Sequence, residues 1–495
     1  MKVLVAAAIV LATLAGCLQD GPAGPDLGAV RSQVEAAAEA VLTLDHPDEA
    51  RGHFDAAAHA GSANMRLVGY ANGVDDSGDP ARIPAKGVYN ELAVAPEHAY
   101  LSAVSADGSF GGFSILDIRS PSPTFVARWQ GPPGFDLEVD PEEHFVYFAT
   151  QRNSVEQLAG GAQANPEPPA TLPRGIHVVD VSDKRAPRLD SFVPMPANGP
   201  HTLTYVRHEN GLDYLIACTY DLLTEPGTGA IVATVPVTQR VVVFLVQERP
   251  EAPAGVPGVN VPKVGLVPVA QIQVTEQAAP GGLVFPHDTR VQVHPVDGRT
   301  LLYVAYWDKG TRIYDFTNPP SPAADPANPP SLPLVSSFTD FSPSRYNNIH
   351  LTAPFDTLLD GRHVTIAEPE IIDAENETGQ LTFLDTTDPA SPAKLGHWKL
   401  PGELAVRALD FSPHNFDTFG TKVALAHNHA GVWVLDVGGP NGLADPASVG
   451  FYMPAKPRPD SPAMQPRVWG VFEQGGLLYA SDEATGLYVL EYTGP

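Results

Sequence analysis

The chain has 495 residues, 43% of them hydrophobic, and a formal net charge of −27 from 57 acidic against 30 basic side chains. Such a surface repels phosphate backbones, which excludes nucleic acid as an expected partner. Two cysteines, one of them in the leader, exclude an internal disulfide framework, and 51 prolines and 44 glycines without collagen spacing point to an all-β chain rich in turns.

The chain opens with Lys2 and an apolar run, Val3–Leu14, too short to cross a bilayer and suited to a secretory signal. The run closes with Leu14-Ala15-Gly16-Cys17, which resembles the lipobox of prokaryotic lipoproteins. The resemblance implies a signal peptide over residues 1–16 and lipidation of Cys17. It also implies an exported protein, at the cell surface or in the periplasm, anchored to the membrane by acyl chains. Simple cleavage by ordinary signal peptidase is the alternative. Residues 17–63 read as a tether. Leu18–Leu27 is Gly/Pro-rich, and Gly28–Leu44 and Asp48–Ala60 have helix-forming composition. His46 and His53 lie there without partner spacing and are expected to be exposed.

From residue 64 onward one phrase recurs. Its clearest copy is Leu301–Pro322, LLYVAYWDKGTRIYDFTNPPSP, which reads as strand, tight loop, strand, aspartate and proline turn. Aligned on the second strand, further copies are FSILDIRSPSP (113–123), IHVVDVSDKRAP (176–187), LTFLDTTDPASP (381–392) and VWVLDVGGP (432–440). A copy at 487–495, LYVLEYTGP, has Glu491 for the aspartate, and RVVVFLVQERPEAP (240–253) lacks it. Most copies are followed by one short apolar run and preceded by two more strands. Each unit is therefore four short strands, and one such unit cannot bury both faces alone. Seven packed around an axis can, so the expected fold is an all-β, seven-bladed β-propeller of four-stranded antiparallel blades over residues 64–495. The last copy lacks its fourth strand, and Met65–Tyr70 is expected to complete that seventh blade, closing the ring and hiding a sheet edge.

These copies resemble the LVIVD-repeat family of extracellular β-propellers, over about residues 65–495. The resemblance implies the architecture and little chemistry. Gly175–Phe192, GIHVVDVSDKRAPRLDSF, also looks like a segment of selenium-binding proteins, propellers with methanethiol oxidase activity and bound copper. That match covers one blade, and the cysteine-rich motif of that family has no counterpart here. Cys218, in the apolar run YLIACTYD, reads as a small buried residue.

The repeated Asp117, Asp180, Asp315, Asp385 and Asp436 read as turn-fixing residues, because an aspartate accepts hydrogen bonds from nearby amides. A candidate site lies elsewhere. Histidine begins the innermost strand in four units, as His201, His287, His350 and His414, with Trp469, Asp136 and Asn90 at the matching places in others. Long insertions, Gln151–Arg174, Tyr220–Thr238 and Glu368–Gly379, fall at the same end. Nearby polar residues include His427, His429, Glu368 and Glu370; alternation along a strand would put His427 and His429 on one face. Imidazoles and carboxylates converging on a channel mouth suit Zn, Cu or Fe, or general acid–base work. Repeated histidines that tie blades together are the structural alternative. Two functions are therefore expected. One is a surface binding or interaction protein, taking an unidentified ligand or protein at the histidine-bearing face. The other is a metal-dependent, His-ligated enzyme, with an oxidase of the selenium-binding type as one form. No nucleophile-elbow, zincin, P-loop or paired CxxC motif is present.

Overall fold

The computed structural model describes Ser62 and residues 64–494, apart from 84–86, 106–109, 152–173, 196–198, 221, 225–230, 235–238, 249–261, 277–281, 323–324, 345–346, 372–378, 401–411, 440–441 and 455–466. The signal segment 1–16, Cys17 and the helix-prone parts of the tether lie outside the described residues.

Among the described residues, seven four-stranded antiparallel sheets form the blades of a propeller. The innermost strands are Gly87–Val94, Leu137–Val139, Pro200–Arg207, Thr289–Val293, Ile349–Pro354, Phe416–Phe419 and Val468–Gln474, in blades 1 to 7. Blades 1 to 6 each run outward in chain order. Blade 7 has the order Val468–Gln474, Leu477–Asp482, Gly486–Tyr492, Met65–Ala71 from axis to rim. The N-terminal strand is thus the outermost strand of the last blade, in register from Met65 opposite Tyr492 to Ala71 opposite Leu487. It passes close to the rim turn of blade 1. A Cβ at Gly69 would stand 1.9 Å from the Pro121 carbonyl oxygen, so glycine is required there.

Both faces of a blade are apolar where it meets its neighbours, and the core is divided among the interfaces. Ile216 and Val243 of blade 3 pack with Leu302 and Val304 of blade 4; Phe383 and Trp398 of blade 5 pack with Trp433 and Leu435 of blade 6. Leu92 and Leu101 of blade 1 meet Leu487 and Val489 of blade 7, which seals the ring. The interface of blades 4 and 5 is more polar, with Thr311 and Thr352 hydroxyls 2.9 Å apart.

The repeated aspartates do one job. The Oδ1 atoms of Asp117, Asp180, Asp315, Asp385 and Asp436 accept from the amides of Arg119, Ser182, Thr317, Thr387 and Gly438 at 2.8 to 3.0 Å. Each fixes the turn that leads into the outermost strand. Glu491, which replaces the aspartate in blade 7, instead accepts from Arg66 Nε at 2.8 Å, pairing with the closing strand itself. Two histidines also act as scaffold. His208 Nε2 faces the Phe316 carbonyl of the next blade at 2.9 Å, and His294 Nε2 faces the Thr386 carbonyl of the next at 2.9 Å. Of the long insertions, Tyr220–Thr238 contributes a small hairpin, Leu222–Thr224 with Ile231–Thr234; the interiors of the other two lie outside the described residues.

Removing residues 64–72 should expose the Gly486–Tyr492 edge and open the blade 7–blade 1 interface. The expected result is a fall in melting temperature of at least about 5 °C with earlier aggregation on heating. An unchanged thermal unfolding curve would show that the N-terminal strand does not close the ring.

Candidate metal centre

The first residues of the innermost strands carry the same irregularity in every blade. His287 N donates to Ala305 O at 2.9 Å while Ala305 N donates to Asp288 O at 2.9 Å. The equivalent pair of bonds in blade 6 involves His414, Ala426 and Asn415, and in blade 2 Phe135, Ala149 and Asp136. In blades 3, 5 and 7 the register shifts at the position of His201, His350 and Trp469, and in blade 1 at Asn90 and Glu91. A bulge of this kind re-aims a side chain at the end of a strand. Here it turns one residue per blade toward the axis. The matching residue in blade 2 is Phe135 and not Asp136. The expectation from sequence was one residue off, because alternation alone does not show which of two adjacent residues the bulge presents.

The aimed side chains form a closed circuit. Ring centroids are separated by 4.8 Å from Phe135 to His201, 4.5 Å to His287, 4.0 Å to His350, 4.3 Å to His414, 3.8 Å to Trp469 and 5.7 Å back to Phe135. The four histidines, from consecutive blades 3 to 6, fill one sector and are all buried. Trp469, Asn90 and Phe135 fill the other. Beside His201 and His287 stands an aromatic stack, with Tyr220 4.2 Å from Phe285 and Phe285 4.7 Å from Trp307.

Each imidazole has its Nδ1 against an oxygen. His201 Nδ1 is 2.6 Å from Gln151 Oε1, His287 Nδ1 3.3 Å from Asp288 Oδ2, His350 Nδ1 3.2 Å from Glu368 Oε2, and His414 Nδ1 2.8 Å from the Trp469 carbonyl. The Gln151 and Trp469 oxygens accept, which places hydrogen on Nδ1 of His201 and His414 and leaves their Nε2 with a lone pair. Acceptors behind the remote ring nitrogen are what orient metal-ligating imidazoles. Among the described residues, His287, His350 and Glu370 offer ligand atoms all within 4.8 Å of one another. His201 Nε2 is 3.0 Å from His287 Nε2, and His414 Nε2 is 4.0 Å from Glu370 Oε1.

Burial holds His201, His287 and His414 well below the ordinary imidazole range, with neighbouring histidines adding to the effect. Burial also pulls on His350, but Glu368 and Asp288 outweigh it and push that imidazole up to about 10. Burial lifts Glu368 to about 7 against the pull of His350. Three neutral imidazoles therefore surround one that retains a proton, and that proton sits where carboxylates converge.

His427 and His429 lie apart from this circuit. The strand before them ends at Ala426, and His427-Asn428-His429 form a tight turn in which His427 N donates to Gly431 O at 2.8 Å and Asn428 has a φ of 35°. Strand alternation does not apply to them. The His427 ring meets Trp398 at 6.1 Å, on the outermost strand of blade 5. Cys218 is a buried thiol whose pKa burial pushes up, packed among apolar residues of blade 3. Glu368 is fully buried, and its Oε1 has no hydrogen-bond partner among the described residues. Sequence reading missed Asp288, Gln151 and Phe135. Asp288 had a signal, a carboxylate directly following a candidate ligand.

No family model matches the chain, and no curated protein matches it. Among solved structures, the crystal structure of the WD40 β-propeller domain of Doa1 is similar at 10% identity. It covers 87% of this chain and 97% of that chain, with a TM-score of 0.46. At that identity the likeness is one of fold alone.

Glu368→Gln should remove the main counter-charge from the His350 imidazolium while leaving shape intact. It is expected to destabilise the metal-free protein by about 2–3 kcal/mol in urea unfolding, since a buried charge is left with a weaker partner. Adding His350→Asn to Glu368→Gln should then cost less than the sum of the two single substitutions. Strict additivity would show that the two groups are not coupled.

Proposed function

We propose that this propeller is a metal-dependent enzyme in which His201, His287, His350 and His414, with Glu370, hold one transition-metal ion at the channel mouth. The observation that carries this reading is the approach of His201 Nε2 and His287 Nε2 to 3.0 Å while both Nδ1 atoms face oxygens. With hydrogen on both Nδ1 atoms, two lone pairs meet there and repel unless a cation lies between or beside them; the other His287 tautomer would make the contact an N–H···N hydrogen bond. Two nitrogens each about 2.1 Å from one ion and at right angles would stand about 3.0 Å apart, whereas tetrahedral angles would place them about 3.4 Å apart. Right-angled imidazoles suit iron and copper better than zinc. All four imidazoles come from one sector of the ring, which leaves the Trp469–Asn90–Phe135 side open to a substrate. A closed structural site would use its ligands on all sides.

The chain's own groups have clear parts. Asp288, Glu368, Gln151 and the Trp469 carbonyl orient the rings and fix their tautomers. Glu370 supplies negative charge to balance an ion, and the Phe135, Tyr220, Phe285 and Trp307 rings shield the site from water. The one-blade resemblance to selenium-binding proteins supports oxidation as the reaction class, and the missing cysteine-rich motif argues against the same substrate.

The wider reading is an exported LVIVD-type propeller, tethered to the membrane through lipidated Cys17. It rests on the lipobox-like tetrapeptide and the repeats. A second reading, capture of a ligand or protein without chemistry, is supported by the propeller scaffold and by the insertions around the same face. Elemental analysis of protein purified without chelators separates the two. The first reading expects about one iron or copper per chain, lost in a His287→Ala, His350→Ala double variant, and a lower melting temperature after chelation. Metal-free protein that binds neither ion on reconstitution would overturn the first reading.

A further inference from the structure

The sector of the ring that lacks histidine holds an unusual pair of groups. Asn90 is fully buried, and neither its Oδ1 nor its Nδ2 has a hydrogen-bond partner among the described residues. Trp469 is 5% exposed, and its Nε1 likewise has no partner there. An unpaired buried amide is expensive, and most buried polar atoms in folded proteins avoid that state. Asn90 also sits at a bulge, between Tyr89 and Leu92, in the ring position that histidine occupies elsewhere. The Trp469 indole extends from His414 on one side to Phe135 on the other, so it crosses the sector to which Asn90 belongs.

The surroundings restrict what these groups could recognise. Phe135 and Trp469 are the aromatic rings of this sector, 5.7 Å apart, and the Tyr220, Phe285 and Trp307 stack stands across the axis beside His201 and His287. Directly after Asn90 in the chain comes Glu91, half-buried and held at 3.0 Å through both oxygens by Asn415 Nδ2. Asp136 and Asp288 follow the ring residues of blades 2 and 4 in the same way. A carboxylate ligand would add negative charge to an axis that already contains several wholly or partly buried carboxylates. An apolar molecule with no polar atom would leave Asn90 and Trp469 Nε1 unsatisfied. Water would satisfy them, and so would an uncharged molecule with one oxygen that displaces it.

We propose that Asn90 and the Trp469 indole N–H form an oxygen-recognising subsite opposite the histidine sector, and that it takes a small, uncharged, largely apolar molecule through one carbonyl or hydroxyl oxygen. Trp469 donates from Nε1, Asn90 donates from Nδ2, and Asn90 Oδ1 is available to accept where the ligand bears a hydroxyl. The aromatic rings take the rest of the molecule. This deepens the enzyme reading, on which the placement of the ligand beside a metal rests, but the subsite itself is tested without metal.

Three probes of similar shape separate the possibilities: acetophenone, benzoate and ethylbenzene. Their binding to the whole mature chain is followed by saturation-transfer NMR, with and without loaded metal. Acetophenone should bind more tightly than either other probe by about tenfold or more, because a built polar site rejects partners that leave it unpaired. Asn90→Ala should bring acetophenone to within about threefold of ethylbenzene, and Trp469→Phe should reduce the preference in part. The melting temperature of Asn90→Ala should be unchanged or raised, since the amide makes no hydrogen bond to lose. A lowered melting temperature with the preference intact would make Asn90 a framework residue and overturn the proposal. Tightest binding of benzoate, or no binding of any probe up to its solubility limit, would also overturn it. Preference for acetophenone in a protein that accepts no metal would leave the subsite standing and remove the metal reading alone.

Discussion

The antiparallel pairing of Met65–Ala71 with Gly486–Tyr492 is the constraint on which the rest of the molecule depends. Until it forms, blade 7 has three strands and an open edge, and Ala71 is missing from the apolar cluster that blades 7 and 1 share. Once it forms, the outer edge of blade 7 is covered, and Ala71 joins Leu92 and Leu101 of blade 1 and Leu487 and Val489 of blade 7 in one cluster. The axis exists only in that closed state. His201 and His414 belong to blades far apart in the chain and share a circuit only because six interfaces and one closing strand fix the angles between sheets. The site is therefore a property of closure, and its geometry cannot be more rigid than the seam of blade 7.

The histidines invite a plainer explanation, in which an imidazole repeated at equivalent positions simply ties blades together. Two histidines in this chain do that. His208 and His294 each direct Nε2 to a backbone carbonyl of the following blade, Phe316 O and Thr386 O, and each packs against aromatic or histidine rings. Of the axial histidines His414 also reaches a carbonyl of the next blade, that of Trp469, but through Nδ1, and the others differ more. Their Nδ1 atoms take the acceptors, and Nε2 of His201 and His287 face each other instead of a carbonyl. A scaffold role would have been served by the first pattern, and the same chain uses it twice at the other end of the innermost strands. The contrast within one molecule separates ligand-like from strut-like imidazoles better than burial, which they share.

Much of the fold was legible in sequence because repetition makes seven weak signals into one strong one. The hydrophobic alternation ending in Asp and Pro specified the third strand of most blades, and the amide partners of Asp117, Asp180, Asp315, Asp385 and Asp436 show why that residue recurs. The closing strand was legible because the last unit lacked its fourth member. The site was legible only in outline. His201, His287, His350 and His414 stood out by position, but which neighbour of each would face the axis depended on a bulge, and bulges leave no trace in a pattern of period two. That is why Asp136 was read in place of Phe135, and why His427 and His429 were assigned a strand face when they occupy a turn. Gln151 and Asp288 were not visible as supporting groups, since their role is set by distances across blades.

The charge arrangement along the axis completes the argument. Below the ring of imidazoles, Asp136 is buried and Glu91, Glu138 and Asp288 are half-buried. Burial raises Glu91 to about 7 and Glu138 to about 8, and it raises Asp136 and Asp288 as well. Arg290 is the one basic residue among the groups acting on Glu138, and it pulls that carboxyl down only in part. An axis lined this way retains protons because it lacks enough positive charge. His350, pushed up by Glu368 and Asp288, carries one such proton at the mouth. A metal ion bound by the four imidazoles would supply in one place the positive charge that the buried carboxylates otherwise draw from solvent protons. The carboxylates and the imidazoles thus form a single electrostatic unit, in which the acidic residues would favour a cation at the channel mouth and the imidazoles would be the means of holding it there.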